Sequence, residues 1–159
     1  MPDKQTLERV RADKQKGKAL STQAGEFIKE EIDHIRHGMH GARSAKQAIA
    51  IGLSKARRAG IALPPPAAGK TSESTRKRAS RDFARGQGTP ARSTAAKKRS
   101  RASSEALKRE SREAASPGAL ARQARAAAKA RSPAERSRSA MAAVRTRAAP
   151  LARTAVRKA

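Results

Sequence analysis

Three histidines fall within seven residues, His34, His37 and His40, with Glu26, Glu30, Glu31 and Asp33 before them. On a helix His34 and His37 share a face and Asp33 lies four residues before His37, a pattern from which a surface site for zinc or nickel could be built. The spacing is not that of a closed zinc site, and His40 lies beyond Gly38, where a helix is expected to end. The expectation is therefore solvated histidines, favoured by the dipole of a helix C-terminus, with no metal and no cofactor. The carboxylates read as intrachain partners for basic residues or as a solvated acidic face.

Gly69-Lys70-Thr71 matches the last three positions of a phosphate loop, but the first required glycine falls on Pro64 and no strand precedes it. A linker is the better reading. No nucleophile stands with a base and an orienting acid at a recognisable spacing, so no catalytic residue is assigned and the chain reads as a non-enzyme.

The basic clusters carry the positive signal. Arg76, Lys77 and Arg78, then Lys97, Lys98, Arg99 and Arg101, then Lys108 and Arg109, and the spaced Arg122, Arg125, Lys129 and Arg131 can each contact successive phosphates. Lys55, Arg57 and Arg58, with Lys46, could add a basic edge nearer the N-terminus. Phe27 and Phe83 are the only aromatics, so stacking on single-stranded bases is hardly available. Contact with the duplex backbone, without sequence reading, follows.

Composition agrees. The 159 residues hold 38 Lys+Arg against 13 Asp+Glu, a net charge of +25 whose field selects polyanionic partners. Residues 1–63 carry net +6 and residues 64–159 net +19, the latter with only seven large apolar side chains. Alanine buries too little area to offset about 1 to 2 kcal/mol of backbone entropy per residue, so little of the second region is expected to build a core. The first twenty residues lack the apolar stretch of a signal peptide, and no apolar run is long enough to span a membrane. With no cysteine there is no disulfide or thiolate chemistry. A cytoplasmic protein is expected.

The elements that would position these residues are helical. A first helix is predicted over 4–16, capped by Asp3 and ended by Gly17, with Leu7 and Val10 on one face. A second opens at Ser21 or Thr22 and carries Phe27, Ile28, Ile32, Ile35 and Met39, stopping at Gly38 to Gly41. A third opens at a Ser44/Gln47 capping box and ends at a left-handed Gly60, with Ile61 folding back and Pro64 to Pro66 forbidding continuation. Ala45, Ala48, Gly52 and Ala56 allow close approach to the second helix, giving a hairpin with Phe27, Ile28, Ile32, Ile35, Ile49, Leu53 and Leu63 as core. In the tail, helices are predicted over 73–85, 104–115, 118–131 and 133–148, the last two opened by Ser116-Pro117 and by a Ser132/Glu135 capping box around Pro133. The fold class is thus all-α: a small helical hairpin, or three-helix, head over 1–63, and a disordered or conditionally helical basic tail over 64–159.

The segment from Ser44 to Gly60 (SAKQAIAIGLSKARRAG), with the preceding Ile35 to Arg43 (IRHGMHGAR), resembles a family of small basic bacterial proteins of unknown function over about residues 20–63. The resemblance implies a bacterial cytosolic protein and supplies no mechanism. The tail is similar in composition to the Ala/Lys/Arg/Pro tails of histone-like bacterial proteins. The leading expectation is a nucleoid-associated binder of duplex DNA, with a head that sets spacing, recruitment or homodimerisation. An RNA- or ribosome-associated basic protein and a helical adaptor for a protein partner are the alternatives. Membrane binding is not expected, because the tail lacks a bulky apolar face.

Overall fold

In a computed structural model of the chain, residues 2–88 and 94–156 are described, with side chains described for 2–88 and 101–145. Among them the chain is all-α: α1 Lys4–Gln15, α2 Leu20–Arg36, α3 Ala45–Arg58, α4 Glu73–Gly86, α5 Thr94–Lys108, a 3-10 turn Glu113–Ala115, α6 Pro117–Lys129 and α7 Pro133–Val156. None of these helices is long and apolar enough to cross a membrane. The chain divides into two compact units, Met1–Leu120 and Ala121–Ala159.

In the first unit, α2 and α3 pack antiparallel. Ala24 and Phe27 share a cluster with Ala56, and Ile35 shares one with Ala48. Gly52 makes the approach possible, since a Cβ there would lie 2.7 Å from the Cα of Ile28. α1 adds Val10, with Leu7 against it, to the Phe27 cluster, and Ile61, Leu53 and Leu63 close that cluster from the far end of α3. Phe27 and Ile35 have no exposed surface, and burying such a side chain contributes about 1.5–3 kcal/mol.

Local signals explain the ends of α3. Ser44 Oγ accepts from the Gln47 N–H at 3.2 Å, while the Gln47 side chain reaches back to the Arg43 N–H at 2.8 Å. At the other end Gly60 takes φ 93°, and Ile61 returns its N–H to the Ala56 carbonyl at 3.1 Å and buries its side chain. Elsewhere the capping differs from expectation. α2 starts a residue before Ser21, from Ala19 with no side-chain cap, and Asp3 makes no cap bond to α1.

Packing runs past residue 63 through two further pieces. α4, capped by Ser72, lies against α3: Ala79 is buried, Ser54 Oγ donates to Asp82 at 2.7 Å, and Gly86 meets the backbone of Arg57 so closely that no Cβ fits. The second piece, from Leu107 to Ala115, crosses the α2–α3 turn. Gly41 and Ala42 donate to the carbonyls of Leu107 and Ser111 at 2.8 and 3.0 Å, and Arg36 Nε donates to the Ala115 carbonyl at 3.1 Å. Ala114 and Ala115 enter the cluster of Ile35, Ala42 and Ala48. A helix is expected over 104–115; α5 instead spans Thr94–Lys108, and its early end is explained by these bonds, since the carbonyls of residues 107 and 111 accept from the α2–α3 turn.

Along α6, and on α7 as far as Arg145, the described side chains are mainly exposed. α7 continues to Val156, past the break expected at Pro150, a residue that cannot donate to the carbonyl of residue 146.

Candidate functional site

The predicted basic residues divide by what already holds them. On α4, Arg76 makes two hydrogen bonds of 2.9 Å to Glu73, with Lys77 3.9 Å from the same carboxylate. That pairing holds the Glu73 carboxyl below its usual range and raises the Arg76 guanidinium further. Arg78 is exposed. On α5, Arg101 is exposed and Lys108 bonds Glu105 at 3.0 Å, with exposed Arg109 just beyond. The side chains of Lys97, Lys98 and Arg99 lie outside the described residues.

On α6, Arg122, Arg125 and Lys129 follow at spacings of three and four, so they share a face. Each is exposed, as is Arg131 in the following turn, and none of the four side chains makes a hydrogen bond or ion pair among the described residues. The cause is compositional. Residues 121–159 hold eleven Lys/Arg and a single acid, Glu135. Glu135 is engaged in opening α7: its Oε2 accepts from the Ser132 N–H at 2.8 Å while Ser132 Oγ accepts from the Glu135 N–H at 3.2 Å.

The basic edge expected at Lys55, Arg57 and Arg58 is largely used inside the fold. Arg57 is buried and donates through Nε to the Leu63 carbonyl at 3.1 Å and through Nη2 to that of Pro64 at 3.4 Å, so it pins the chain leaving α3. Burial pushes its guanidinium below the ordinary value, and Asp82 opposes the shift. Lys55 Nζ lies 3.2 Å from Glu30 Oε1 and 2.6 Å from Glu31 Oε2. Arg58 faces Asp82 at 3.8 Å and stays exposed with Lys46.

The histidines are arranged otherwise than helical spacing suggests. His37 stays exposed and bonds the Asp33 carbonyl of its own helix at 2.7 Å. Gly38, at φ 76°, turns the chain back, so that His40 meets His34 edge to face, ring centroids 6.3 Å apart. His40 Nε2 lies 3.3 Å from Glu31 Oε1, and His34 Nε2 lies 3.1 Å from Asp3 Oδ2 at the start of α1. The Asp3 N–H donates to Glu30 Oε2 at 3.1 Å. Glu31 has no exposed surface, and neither of its oxygens accepts an aligned hydrogen bond despite the close ammonium. The turn at Gly38 was the signal that could have found this group, since it returns whatever follows it to the last turns of α2.

Residues 5–66, which span α1 to α3 and end in the proline run, match a family of unknown function, DUF6496. The match places this helical part of the chain alongside a family without an assigned activity. No curated protein and no solved structure matches the chain.

Proposed function

We propose that the chain is a non-catalytic, nucleic-acid-binding polycation that neutralises phosphates along duplex DNA, in the manner of a nucleoid-associated, histone-like protein. One observation supports this reading above the rest: α6 presents Arg122, Arg125 and Lys129 on one exposed face, in a unit whose single acid is committed to a helix cap. At 1.5 Å per residue that face runs about 10 Å, comparable to three phosphate steps at roughly 3.4 Å per strand. Like charges at these spacings oppose the helix by about 0.2–0.5 kcal/mol per pair, so phosphate neutralisation favours the helical form. Circular dichroism should register a helix gain when duplex DNA is added.

Residues 1–120 then form a body that sets spacing, recruitment or self-association, while Lys55 and Arg57 serve that body's fold. Mobility shift on duplex DNA at rising salt tests the reading. About ten phosphate contacts give a log-log slope near −9. Binding that persists unchanged at high salt would sink the electrostatic mechanism, and preferential displacement by structured RNA would move the assignment from DNA to RNA.

A further inference from the structure

A buried carboxylate normally finds hydrogen-bond donors or a counter-charge, because leaving it without either costs several kcal/mol. Glu31 has a counter-charge on one side only. Its Oε2 is 2.6 Å from Lys55 Nζ, whereas its Oε1 faces the imidazole of His40, at 3.3 Å. The tautomer of that ring is fixed from behind: His40 Nδ1 contacts the Gly41 carbonyl at 3.1 Å, and a carbonyl can only accept, so Nδ1 bears the hydrogen. In a neutral ring Nε2 then turns its lone pair toward a carboxylate oxygen. Two lone pairs meet there, and a cation between them removes the conflict.

The surroundings fit a metal ion. Ligand atoms of Glu31, His34 and His40 lie within 4.8 Å of one another. Ligands at about 2.0–2.1 Å from a tetrahedral zinc stand roughly 3.3 Å apart, the separation of Glu31 Oε1 and His40 Nε2. His40 gives its other nitrogen to a backbone carbonyl, and His34 holds the Asp3 carboxylate through Nε2 at 3.1 Å, an outer contact of the kind that orients a metal-bound histidine when Nδ1 takes the ion. Charge agrees as well. Asp3, Glu30 and Glu31 bring three negative charges against the one positive charge of Lys55, which leaves −2 with both imidazoles neutral.

We propose that Glu31, His34 and His40 bind one divalent first-row transition ion of the zinc class, with Asp3 orienting His34 and a fourth position left to solvent. Two imidazoles with a carboxylate suit such an ion better than magnesium or calcium, which take oxygen ligands. Bound there, it links α2 to the turn before α3, and through Asp3 to the start of α1, acting as a staple for a small helical body. This inference is independent of nucleic-acid binding.

The chain has no cysteine and no histidine outside 34–40, which makes zinc binding readable on the full protein once any affinity tag is removed. Metal-free full-length chain is titrated with zinc against a chromophoric chelator. One equivalent is expected to bind and to raise Tm progressively with free zinc, and cobalt in its place should give the intense visible absorption of a tetrahedral site. On the unmutated chain, imidazole nitrogen resonances of His34 and His40 should move while those of His37 stay. His40→Ala should lower affinity roughly 100-fold or more, beyond the 10- to 100-fold loss typical of an outer partner, and His37→Ala should leave it unchanged. Absence of stoichiometric binding, or resonance shifts centred on His37, overturns the proposal.

Discussion

The backbone N–H of Gly41 donates to the carbonyl of Leu107 at 2.8 Å, which ties the turn between α2 and α3 to the end of α5. Glycine is required because the chain crosses directly over it: a Cβ at Gly41 would overlap the Glu110 carbonyl. Gly41→Ala should therefore lift the 107–115 segment and expose the cluster that receives Ala114 and Ala115. Overpacking of this kind costs about 1–3 kcal/mol, seen as a Tm several degrees lower. Trypsin should also cut faster at Lys108 and Arg109. Unchanged melting together with unchanged cleavage would show that the crossing does not hold the body together.

Two glycines on facing helices should respond in opposite directions. Gly52 of α3 has 2.7 Å between its built Cβ and the backbone of Ile28, so Gly52→Ala must push α2 and α3 apart, at a cost of about 1–3 kcal/mol. Gly25, inside α2, has nothing within 4 Å of such an atom. There Gly25→Ala gains helix propensity without a clash and should stabilise by about 0.5–1 kcal/mol. Thermal denaturation of the two single variants decides the matter, and destabilisation by both would contradict the open setting of Gly25.

What the sequence disclosed and what it hid follow from the range of the interactions involved. Caps and stops are local, so the Ser44 and Gly60 ends of α3 and the Ser132/Glu135 opening of α7 are legible from neighbouring residues. Spacing puts Met39 on the apolar stripe of α2, but Gly38 ends the helix first and leaves Met39 mostly exposed. Ala114 and Ala115 lie in the region whose alanine content predicts little core, yet small side chains are what a chain crossing at Gly41 can accommodate. Asp3 reads as a helix cap, whereas its side chain reaches His34, 31 residues away. A partner at that separation leaves no periodic trace. Charge counts likewise do not tell Arg57, buried and bonded to the Leu63 carbonyl, from Arg125, which is exposed on α6.

Lys55 is a structural cation despite its place in a basic stretch. Its ammonium faces Glu30 and Glu31, both buried, so Lys55→Ala leaves two carboxylates short of their compensating charge. Removing one partner of a buried pair costs about 3–5 kcal/mol, and the one-fifth exposure of the Lys55 side chain argues for the low end. Chemical denaturation of the full chain should report a loss of about 3 kcal/mol. A loss below 0.5 kcal/mol, the size of an exposed pair, would mean that solvent or rearrangement reaches the carboxylates.

Paired and unpaired arginines should differ in what they contribute to phosphate binding. Arg125 and its neighbours Arg122 and Lys129 have no acidic partner among the described residues, whereas Arg76 is bound twice by Glu73. Each phosphate contact contributes about 0.9 to the salt slope on duplex DNA. Replacing the three α6 residues with alanine should reduce the magnitude of that slope by about 2.7, uniformly across DNA sequences, if each neutralises one phosphate. Arg76→Ala should change the slope by much less, because a guanidinium held twice by Glu73 is not available to neutralise a phosphate. Mobility shift over a range of salt concentrations measures both. If Arg76→Ala weakens binding as much as the triple substitution does, net charge alone governs affinity and the exposed face of α6 has no special part in it.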